Sequence, residues 1–360
     1  MRVGPREYIA VLQNPRAGRG RHPAEVAAAL AALRRTDREV RVLDAHTAAD
    51  ASRACHEAVA SGAEALIVIG GDGTVHVAIQ AVAGTGVPLG VVPAGTGNDF
   101  AAAVGVTSDL VRAAEAITVA LLAGRTRPVD LARTTGPGGY DEWFAAVLAA
   151  GFDAIVNERA NQMRWPRGRR RYDIAIFAEL MRLKARRYRI VLRDTVGGAD
   201  QRGTVGANQR DTLGGADQRD TLGGADQRVT LGGADQRDTL GGGDQRDHRG
   251  AEQRIEQDAI LVAVGNTTSY GGGMKMCPAA DPSDGLLDIV VAAEMSRSTL
   301  VRLQPRLYQG THVRHPLVSS YRARTVEIHA DGITGYADGE RACPLPVTVT
   351  ADPGALRLLV

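Results

Sequence analysis

The stretch Ala65-Leu66-Ile67-Val68-Ile69-Gly70-Gly71-Asp72-Gly73-Thr74 decides the fold. Its five apolar residues predict a buried strand, and the glycines that follow predict a tight turn where that strand ends. Backbone N–H groups in such a turn close on a phosphate, and a helix that starts just after it adds its positive end. No Gly-Lys-Ser/Thr follows, so this turn is not a Walker loop.

A second glycine turn follows the next apolar run of the chain, and it reads Pro93-Ala94-Gly95-Thr96-Gly97-Asn98-Asp99-Phe100. Strand and helix patterns alternate on both sides of the two turns. The strand patterns cover 8–12, 40–43, 65–69 and 89–92, and the helix patterns cover 24–33, 48–61 and 75–83. This alternation predicts a doubly wound α/β domain over 1–130. Because ligands of such sheets bind beyond the carboxyl ends of the strands, we expect both turns to lie in a nucleotide site.

After about residue 128 the pattern changes to strand-like runs, which predict a mainly antiparallel β-sandwich over 131–360 whose last strands are able to return to the first domain. The runs cover 143–148, 188–192, 260–264, 287–291, 326–329 and 347–350, with helix patterns at 154–162 and 174–184.

A nine-residue unit close to Asp-Thr-Leu-Gly-Gly-Ala-Asp-Gln-Arg recurs within 194–254. One Leu per unit does not offset the ordering entropy of so much glycine and charge, which predicts a disordered insert. The alternative is a calcium-binding β-roll, although the positions of Gly and Asp differ from that repeat. We expect the insert at the tip of a hairpin formed by 188–192 and 260–264, where insertions are tolerated.

The composition narrows the class of protein. The chain has 360 residues and a net charge of +2, which gives no indication of a nucleic-acid partner. Its three cysteines fit neither a disulfide framework nor a zinc site and favour a reducing cytoplasm. The first residues lack the apolar core of a signal peptide, and no apolar run approaches the ~20 residues that span a bilayer.

The order of motifs along the chain resembles the soluble diacylglycerol-kinase-type lipid kinases, which share their ATP fold with NAD kinases and sphingosine kinases. The resemblance covers nearly the whole chain apart from the repeat. The matching motifs are Asn14-Pro15-Arg16-Ala17-Gly18, the two glycine turns, Gly265-Asn266, 270–273, 278–288, 310–312 and Asp338-Gly339-Glu340.

The resemblance implies an ATP site along the sheet edge. Its residues would be Asn14, Pro15, Arg16, Ala17, Gly18, Arg19, Thr47, Gly70, Gly71, Asp72, Gly73, Thr74, Val75, His76, Gly95, Thr96 and Asn98. For Arg19, the alternative is a solvated loop.

The resemblance also assigns roles to acidic residues. Asp99 would face the gap between the domains, or merely shape its loop as an Asx turn. Glu340 or Asp338 would accept the proton of the acceptor hydroxyl, although Asp-Gly is also a strong hairpin signal. Asp281, Asp284 and the carbonyl of Leu286 would hold Mg²⁺, where the alternative is an ordinary turn.

The sequence thus predicts an ATP-dependent lipid kinase that phosphorylates diacylglycerol or a related lipid while peripheral to the membrane, with a homodimer implied by the resemblance. The basic stretch 163–171 would contact anionic headgroups or form a solvated loop. Two alternatives remain. One is NAD kinase, although 98–100 fits the lipid kinases better, and the other is a non-catalytic lipid or nucleotide sensor.

Overall fold

The computed structural model describes residues 8–14, 23–151, 185–195, 230–231 and 252–360. Within these ranges the helices are α1 (Pro23–Leu33), α2 (Ala48–Ala60), α3 (Asp72–Val82), α4 (Asp99–Ala103), α5 (Leu110–Leu122) and α6 (Arg297–Gln309). The strands of the first half are β1 (Tyr8–Gln13), β2 (Glu39–Leu43), β3 (Ala65–Gly70) and β4 (Leu89–Pro93). Those that follow are β5 (Thr126–Gly136), β6 (Tyr140–Phe144), β7 (Val147–Gly151), β8 (Arg186–Thr195), β9 (Thr230–Leu231), β10 (Gln253–Gly265), β11 (Leu287–Ala293), β12 (Val318–His329), β13 (Thr334–Ala337), β14 (Glu340–Pro344) and β15 (Val347–Leu359).

The first half is a parallel sheet in the order β2-β1-β3-β4, with helices on both faces. Side chains of a strand alternate between faces, so neighbouring residues of β3 enter different cores. Ile67 packs with α1 and α5, whereas Leu66 and Val68 pack with α2 and α3. This arrangement confirms the predicted doubly wound α/β domain, and it brings the carboxyl ends of β1, β3 and β4 to one edge.

The second half is a largely antiparallel β-sandwich, as predicted. Its strands follow the order β14-β13-β7-β10-β11-β12-β15, and β5, β6 and β8 pair alongside. Tyr188, Phe144 and Ile289 belong to its fully buried core. The last strand joins the two halves, because β15 pairs antiparallel with β5 and β12 and meets β4 in parallel through Leu358 and Leu89.

The predicted hairpin of the repeat has a different register. β8 pairs with Gln253–Ala259, the first part of β10, whereas Leu261–Gly265 pairs with β7 and β11. The long strand β10 therefore pairs first with β8 and then with β7 and β11, which the apolar pattern alone does not show. The connection that carries the repeat still runs between the paired strands β8 and β10, and Thr230–Leu231 of one unit pairs with Gln253 and Arg254.

The predicted strand at 143–148 is wrong as a single element, because the chain leaves β6 at Phe144 and enters β7 at Val147. The N–H groups of Ala145 and Ala146, which a continuous strand would give to a neighbour, instead donate to the carboxylate of Asp338. The break is therefore part of the candidate site.

The helix pattern at 48–61 is confirmed as α2, and Thr47 caps it through a capping box with Asp50. The pattern at 75–83 begins three residues late, because Asp72 and Gly73 already lie in the first turn of α3. No predicted helix corresponds to α4, α5 or α6. The predicted helices at 154–162 and 174–184, the basic stretch 163–171 and nearly all of the repeat lie outside the described residues.

Candidate active site

Asn14 and the two glycine turns meet at the carboxyl edge of the parallel sheet. The backbone N–H of Asn14, which follows β1, donates to the carbonyl of Ile69 at 3.1 Å. The side-chain amide of Asn14 lies 3.4 Å from the hydroxyl of Thr74 in the first glycine turn. The second glycine turn follows β4 and is tied to the first by the bond from the N–H of Ala94 to the carbonyl of Gly70 at 2.9 Å. The predicted nucleotide residues Asn14, Gly70–Thr74 and Gly95–Asn98 thus lie together.

Glycine is required where the two glycine turns touch. A Cβ on Gly71 would lie 3.0 Å from the Cα of Gly95, and a Cβ on Gly95 would overlap the backbone of Gly71. Within the first turn, a Cβ on Gly70 would lie 2.5 Å from the hydroxyl oxygen of Thr74. The missing side chains therefore allow the turns to pack backbone against backbone at the N-terminus of α3.

Asn98 fixes the shape of the second turn. It has a left-handed backbone, with φ of 57°, which Asn tolerates better than most residues. Its side-chain oxygen accepts from the N–H of Gly95 at 2.9 Å, and its amide donates to the carbonyl of Gly95 at 3.1 Å. Asn98 thus acts by shaping the loop that faces the first turn.

Asp72 lies in the first turn of α3, and its carboxylate accepts from the N–H of Phe100 at 3.1 Å. Burial raises the pKa of Asp72, and the charges of Asp99 and Asp338 raise it further, against the opposing effect of the Phe100 N–H. The ionised form of Asp72 is therefore disfavoured by its surroundings, because they do not compensate its negative charge. A cation brought into the cleft would relieve this deficit.

Asp99 connects the two halves. Its carboxylate oxygens accept from the N–H groups of Gly272 and Gly273, each at 2.7 Å, and the residue is buried. Both glycines have positive φ, which exposes consecutive N–H groups to one carboxylate. Asp99 therefore lies between the halves and anchors the 270–273 turn of the sandwich to the second glycine turn.

Asp338 and Gly339 form the two-residue turn between β13 and β14, and both have positive φ, as a type I′ hairpin turn requires. The Asp338 carboxylate points inward, where it accepts from the N–H groups of Ala145 and Ala146 at 2.9 and 2.8 Å. The Asp338-Gly339-Glu340 motif is therefore both a hairpin turn and a part of the candidate site, because the turn itself lies at the cleft.

His76 reaches Asp338 from the other half of the molecule. Its Nδ1 lies 3.2 Å from Oδ2 of Asp338, and both side chains are at least nine-tenths buried. Burial opposes a charged imidazole, but the hydrogen bond and charge of Asp338, together with Glu340 and Glu142, more than offset this and raise the pKa of His76. His76, predicted to line the nucleotide site, thus directs its imidazole to the carboxylate turn.

Glu340 is the exposed carboxylate of the Asp-Gly-Glu motif. A Cβ on Gly73 would lie 3.5 Å from its Oε1, so Glu340 lies against the first glycine turn. Among the described residues no hydrogen bond or ion pair engages this carboxylate, in contrast to the fully bonded Asp338. Of the two acidic residues, Glu340 is therefore the one with its oxygens available to a ligand.

Two polar residues outside the predicted site, Gln80 and Asn266, hold these parts in place. The side chain of Gln80 on α3 bonds the N–H and the carbonyl of Trp143. The amide of Asn266 donates to the carbonyls of Asp130 and Ala145, each at 2.9 Å. These contacts join residues that are distant in sequence. Only Asn266 carried a signal, as part of the Gly265-Asn266 motif.

The predicted metal loop is held by Asp130. This buried carboxylate accepts from the N–H groups of Gly285 and Gly354, each at 2.7 Å. Within the loop, Asp281 accepts hydrogen bonds from the backbone N–H and the hydroxyl of Ser283. Asp284 accepts from the N–H of Leu286 and forms an ion pair with Arg322.

Several carboxylates lie close together at the same loop, and their combined negative charge fits a cation. One oxygen of buried Asp288 makes no hydrogen bond, although it lies 3.4 Å from Nε of Arg322 as an ion pair. Burial raises the pKa of Asp288 to about 6, and the charges of Asp284 and Asp281 add to the effect of burial although Arg322 opposes it. In the described part of the chain no three His, Cys, Asp or Glu side chains form a ready metal cage. Carboxylates that leave room for water suit Mg²⁺.

The remaining predicted residues differ in their placement. Thr47 follows β2, and its hydroxyl is engaged with Asp50. Val75 is buried in the core beneath the turn, whereas Thr96 is exposed. Pro15, Arg16, Ala17, Gly18 and Arg19 lie outside the described residues.

Comparison with known protein families divides the chain into the same two halves. Residues 8–134 match the diacylglycerol kinase catalytic domain, and residues 146–216 and 243–360 match the YegS C-terminal NAD kinase beta sandwich-like domain. The second match is interrupted inside the nine-residue repeat. The chain therefore belongs to the diacylglycerol kinase family of lipid kinases.

Individual relatives extend over nearly the whole chain. A protein named diacylglycerol kinase from Mycobacterium tuberculosis (strain ATCC 25618 / H37Rv) is 38% identical over 351 residues, which cover 98% of this chain and 94% of that protein. A Pseudomonas aeruginosa PAO1 protein named "Probable lipid kinase YegS-like" is 26% identical, over 98% of this chain and 93% of its own. The crystal structure of a diacylglycerol kinase from Bacillus anthracis str. Sterne has the same fold, with a TM-score of 0.59 and 19% identity over 99% of this chain and 97% of that one.

Proposed function

We propose that this protein transfers the γ-phosphate of ATP to the hydroxyl of diacylglycerol or a related lipid, giving phosphatidate or its analogue. The observation that carries the proposal is the position of Glu340 against Gly73. The carboxylate of Glu340, which no described residue bonds, thus brings an acidic group of the sandwich beside the first glycine turn of the α/β half. A kinase needs this juxtaposition, because its acceptor hydroxyl must approach the γ-phosphate in line.

The nucleotide would bind at the carboxyl edge of the parallel sheet. The phosphates would lie over Gly70–Thr74, where the first turn of α3 leaves N–H groups without intrahelical partners and adds its positive end. Asn14, Gly95, Thr96 and Asn98 would line the same edge. The cation that accompanies ATP would also supply the positive charge that Asp72 lacks.

Glu340 would act as the base, and Asp338 as the residue that positions it. The hydroxyl oxygen of the lipid forms a bond to the γ-phosphorus while the bond to the β–γ bridging oxygen breaks and ADP leaves. The hydroxyl proton passes to the carboxylate of Glu340. Asp338 is unsuited to that role, because both of its oxygens are already bonded to backbone N–H groups.

Mg²⁺ at Asp281, Asp284 and the carbonyl of Leu286 would hold the acidic loop by neutralising its charge. This loop connects with the catalytic turn through Asp130, since the carbonyl of Asp130 and that of Ala145 share the amide of Asn266. Asp99 would keep the cleft closed on the side of the 270–273 turn.

No helix in the described part of the chain is both long and apolar enough to cross a bilayer. We propose that the enzyme reaches its lipid from the membrane surface as a peripheral protein.

The test is a transfer assay with γ-labelled ATP, the purified full chain and a panel of acceptors that includes diacylglycerol, other lipid alcohols and NAD. We expect label in phosphatidate or in the phosphate of another lipid alcohol. Binding of ATP without transfer to any lipid alcohol would contradict the proposal, and transfer to NAD would replace it with the alternative activity.

A further inference from the structure

One surface of the sandwich half has an unusual charge. The segment 295–317, which contains α6, has no Asp or Glu, although the whole chain carries only +2. It includes the arginines Arg297, Arg302, Arg306 and Arg314, all exposed. Arg302 and Arg306 have no carboxylate partner among the described residues. Burial, together with the charge of Arg306, lowers the pKa of His315, so the arginines carry the positive charge of this segment.

The same segment exposes apolar side chains. α6 packs through Leu303, which is buried, and through the partly buried Leu300 and Leu307 of the same face. The opposite face carries Val301 and Tyr308, which are 52% and 39% exposed. With Leu317, at 37%, they make three of the six large apolar side chains that are exposed in the described part of the chain. The exposed side of α6 thus carries apolar and basic side chains next to one another.

This face lies one loop away from the candidate active site. The carbonyl of Leu307 on α6 accepts from the N–H of Lys275 at 3.0 Å, and His312 bonds the carbonyl of Met276 at 3.1 Å. The loop that contains Lys275 begins with the 270–273 turn that Asp99 anchors. A surface that contacts α6 therefore also approaches the exposed residues at the rim of the cleft.

We infer that the outer face of α6, formed by Val301, Arg302, Arg306 and Tyr308, docks the enzyme on an anionic lipid bilayer. The inference rests on the proposed function, which requires the cleft to meet a membrane lipid. Arginines are attracted to a negative bilayer surface, and the apolar residues beside them enter the boundary between headgroups and acyl chains.

A second copy of the chain is a poor occupant of this face. In a two-fold contact the same patch meets itself, so the arginines of one copy would face those of the other without a carboxylate in the segment. The phosphates of a nucleic acid would engage the arginines but leave the exposed Val301 without a favourable contact. Charge and apolar exposure together favour the bilayer.

The test compares the full chain with Arg302→Glu/Arg306→Glu in sedimentation with vesicles of phosphatidylcholine alone or mixed with phosphatidylglycerol. We expect the intact protein to bind the mixed vesicles, and the reversal of two charges to weaken that binding by about tenfold or more. A second variant, Val301→Ser/Tyr308→Ser, leaves the charge unchanged and is expected to weaken binding as well. Matched controls on the α/β half are Arg34→Glu/Arg112→Glu and Val119→Ser/Leu122→Ser, all at exposed positions.

Phosphorylation of two acceptors separates docking from catalysis. Each α6 variant should lose activity on diacylglycerol in mixed vesicles and keep activity on a short-chain, water-soluble diacylglycerol. Unchanged vesicle binding by both variants would overturn the inference, and so would a dimer that only the α6 variants dissociate. If the intact protein binds vesicles through α6 but phosphorylates no lipid alcohol, the proposed function fails while the docking surface stands.

Discussion

The imidazole Nδ1 of His76 lies 3.2 Å from Oδ2 of Asp338, across 262 positions of sequence. His76 belongs to the helix that starts in the first glycine turn, and Asp338 belongs to the hairpin turn that ends in Glu340. The pair therefore fixes the distance between the phosphate turn and the proposed base.

We expect this pair to make the fold more stable at low pH. Because the pKa of His76 is raised, its contribution is complete below the unfolded value of 6.5 and is lost as pH rises through the higher folded value. The substitution His76→Asn should therefore cost more at about pH 6 than at about pH 8.5. Urea unfolding at both pH values measures the difference, and the exposed His56→Asn is the control. A cost that grows with pH would contradict this role.

Gly95→Ala should destabilise the protein by about 1–3 kcal/mol or more, because the new methyl group overlaps the backbone of Gly71. It should also weaken binding of an ATP analogue, since the two turns would move apart. Unfolding and calorimetry measure the two effects. Gly335→Ala is the matched control, because its Cβ would meet only ordinary contacts, the nearest at 3.7 Å. Equal behaviour of the two variants would show that the turns do not need their close approach.

Asp99→Asn should loosen the contact between the halves. The two backbone N–H groups of Gly272 and Gly273 need two acceptors, and an amide side chain offers only one. We expect a loss of about 1–3 kcal/mol and faster hydrogen exchange at the two glycine amides. Asp331→Asn, in an exposed turn, is the control. Unchanged exchange at Gly272 and Gly273 would rule out the anchoring role.

Mg²⁺ should stabilise the folded protein through its acidic loop. A ligand that binds only the native state raises the melting temperature with its concentration. We expect this rise in the intact protein and its loss in Asp281→Asn/Asp284→Asn, measured by thermal unfolding with and without a chelator. Asp44→Asn, whose side chain is 90% exposed, should retain the rise. An equal rise in both variants would place the cation elsewhere.

Local patterns were sufficient for much of the fold. The apolar run before Gly70 predicted β3, and the capping residue Thr47 predicted the start of α2, because both signals lie within a few residues of the element they define. The two glycine turns are likewise indicated by residues that are neighbours in the sequence. Their meeting at one edge followed from the parallel order of the strands.

The contacts between distant parts could not be predicted in this way. No local pattern relates Asp338 to the N–H groups of Ala145 and Ala146, so the strand break at those alanines went unrecognised. The pairing of β8 with the first part of β10, rather than with 260–264, depends on which neighbours the rest of that strand acquires. The contact of His76 with Asp338 likewise arises only when the two halves pack together.

The most direct measurement compares the intact protein with Glu340→Gln in the transfer of labelled γ-phosphate to diacylglycerol, alongside binding of ATP. General bases contribute about 10²–10⁴-fold, so we predict a loss of kcat in that range. ATP binding should be nearly unchanged, because the variant keeps the glycine turns intact. Transfer by Glu340→Gln at the rate of the intact protein would contradict the central claim that this carboxylate receives the proton of the acceptor.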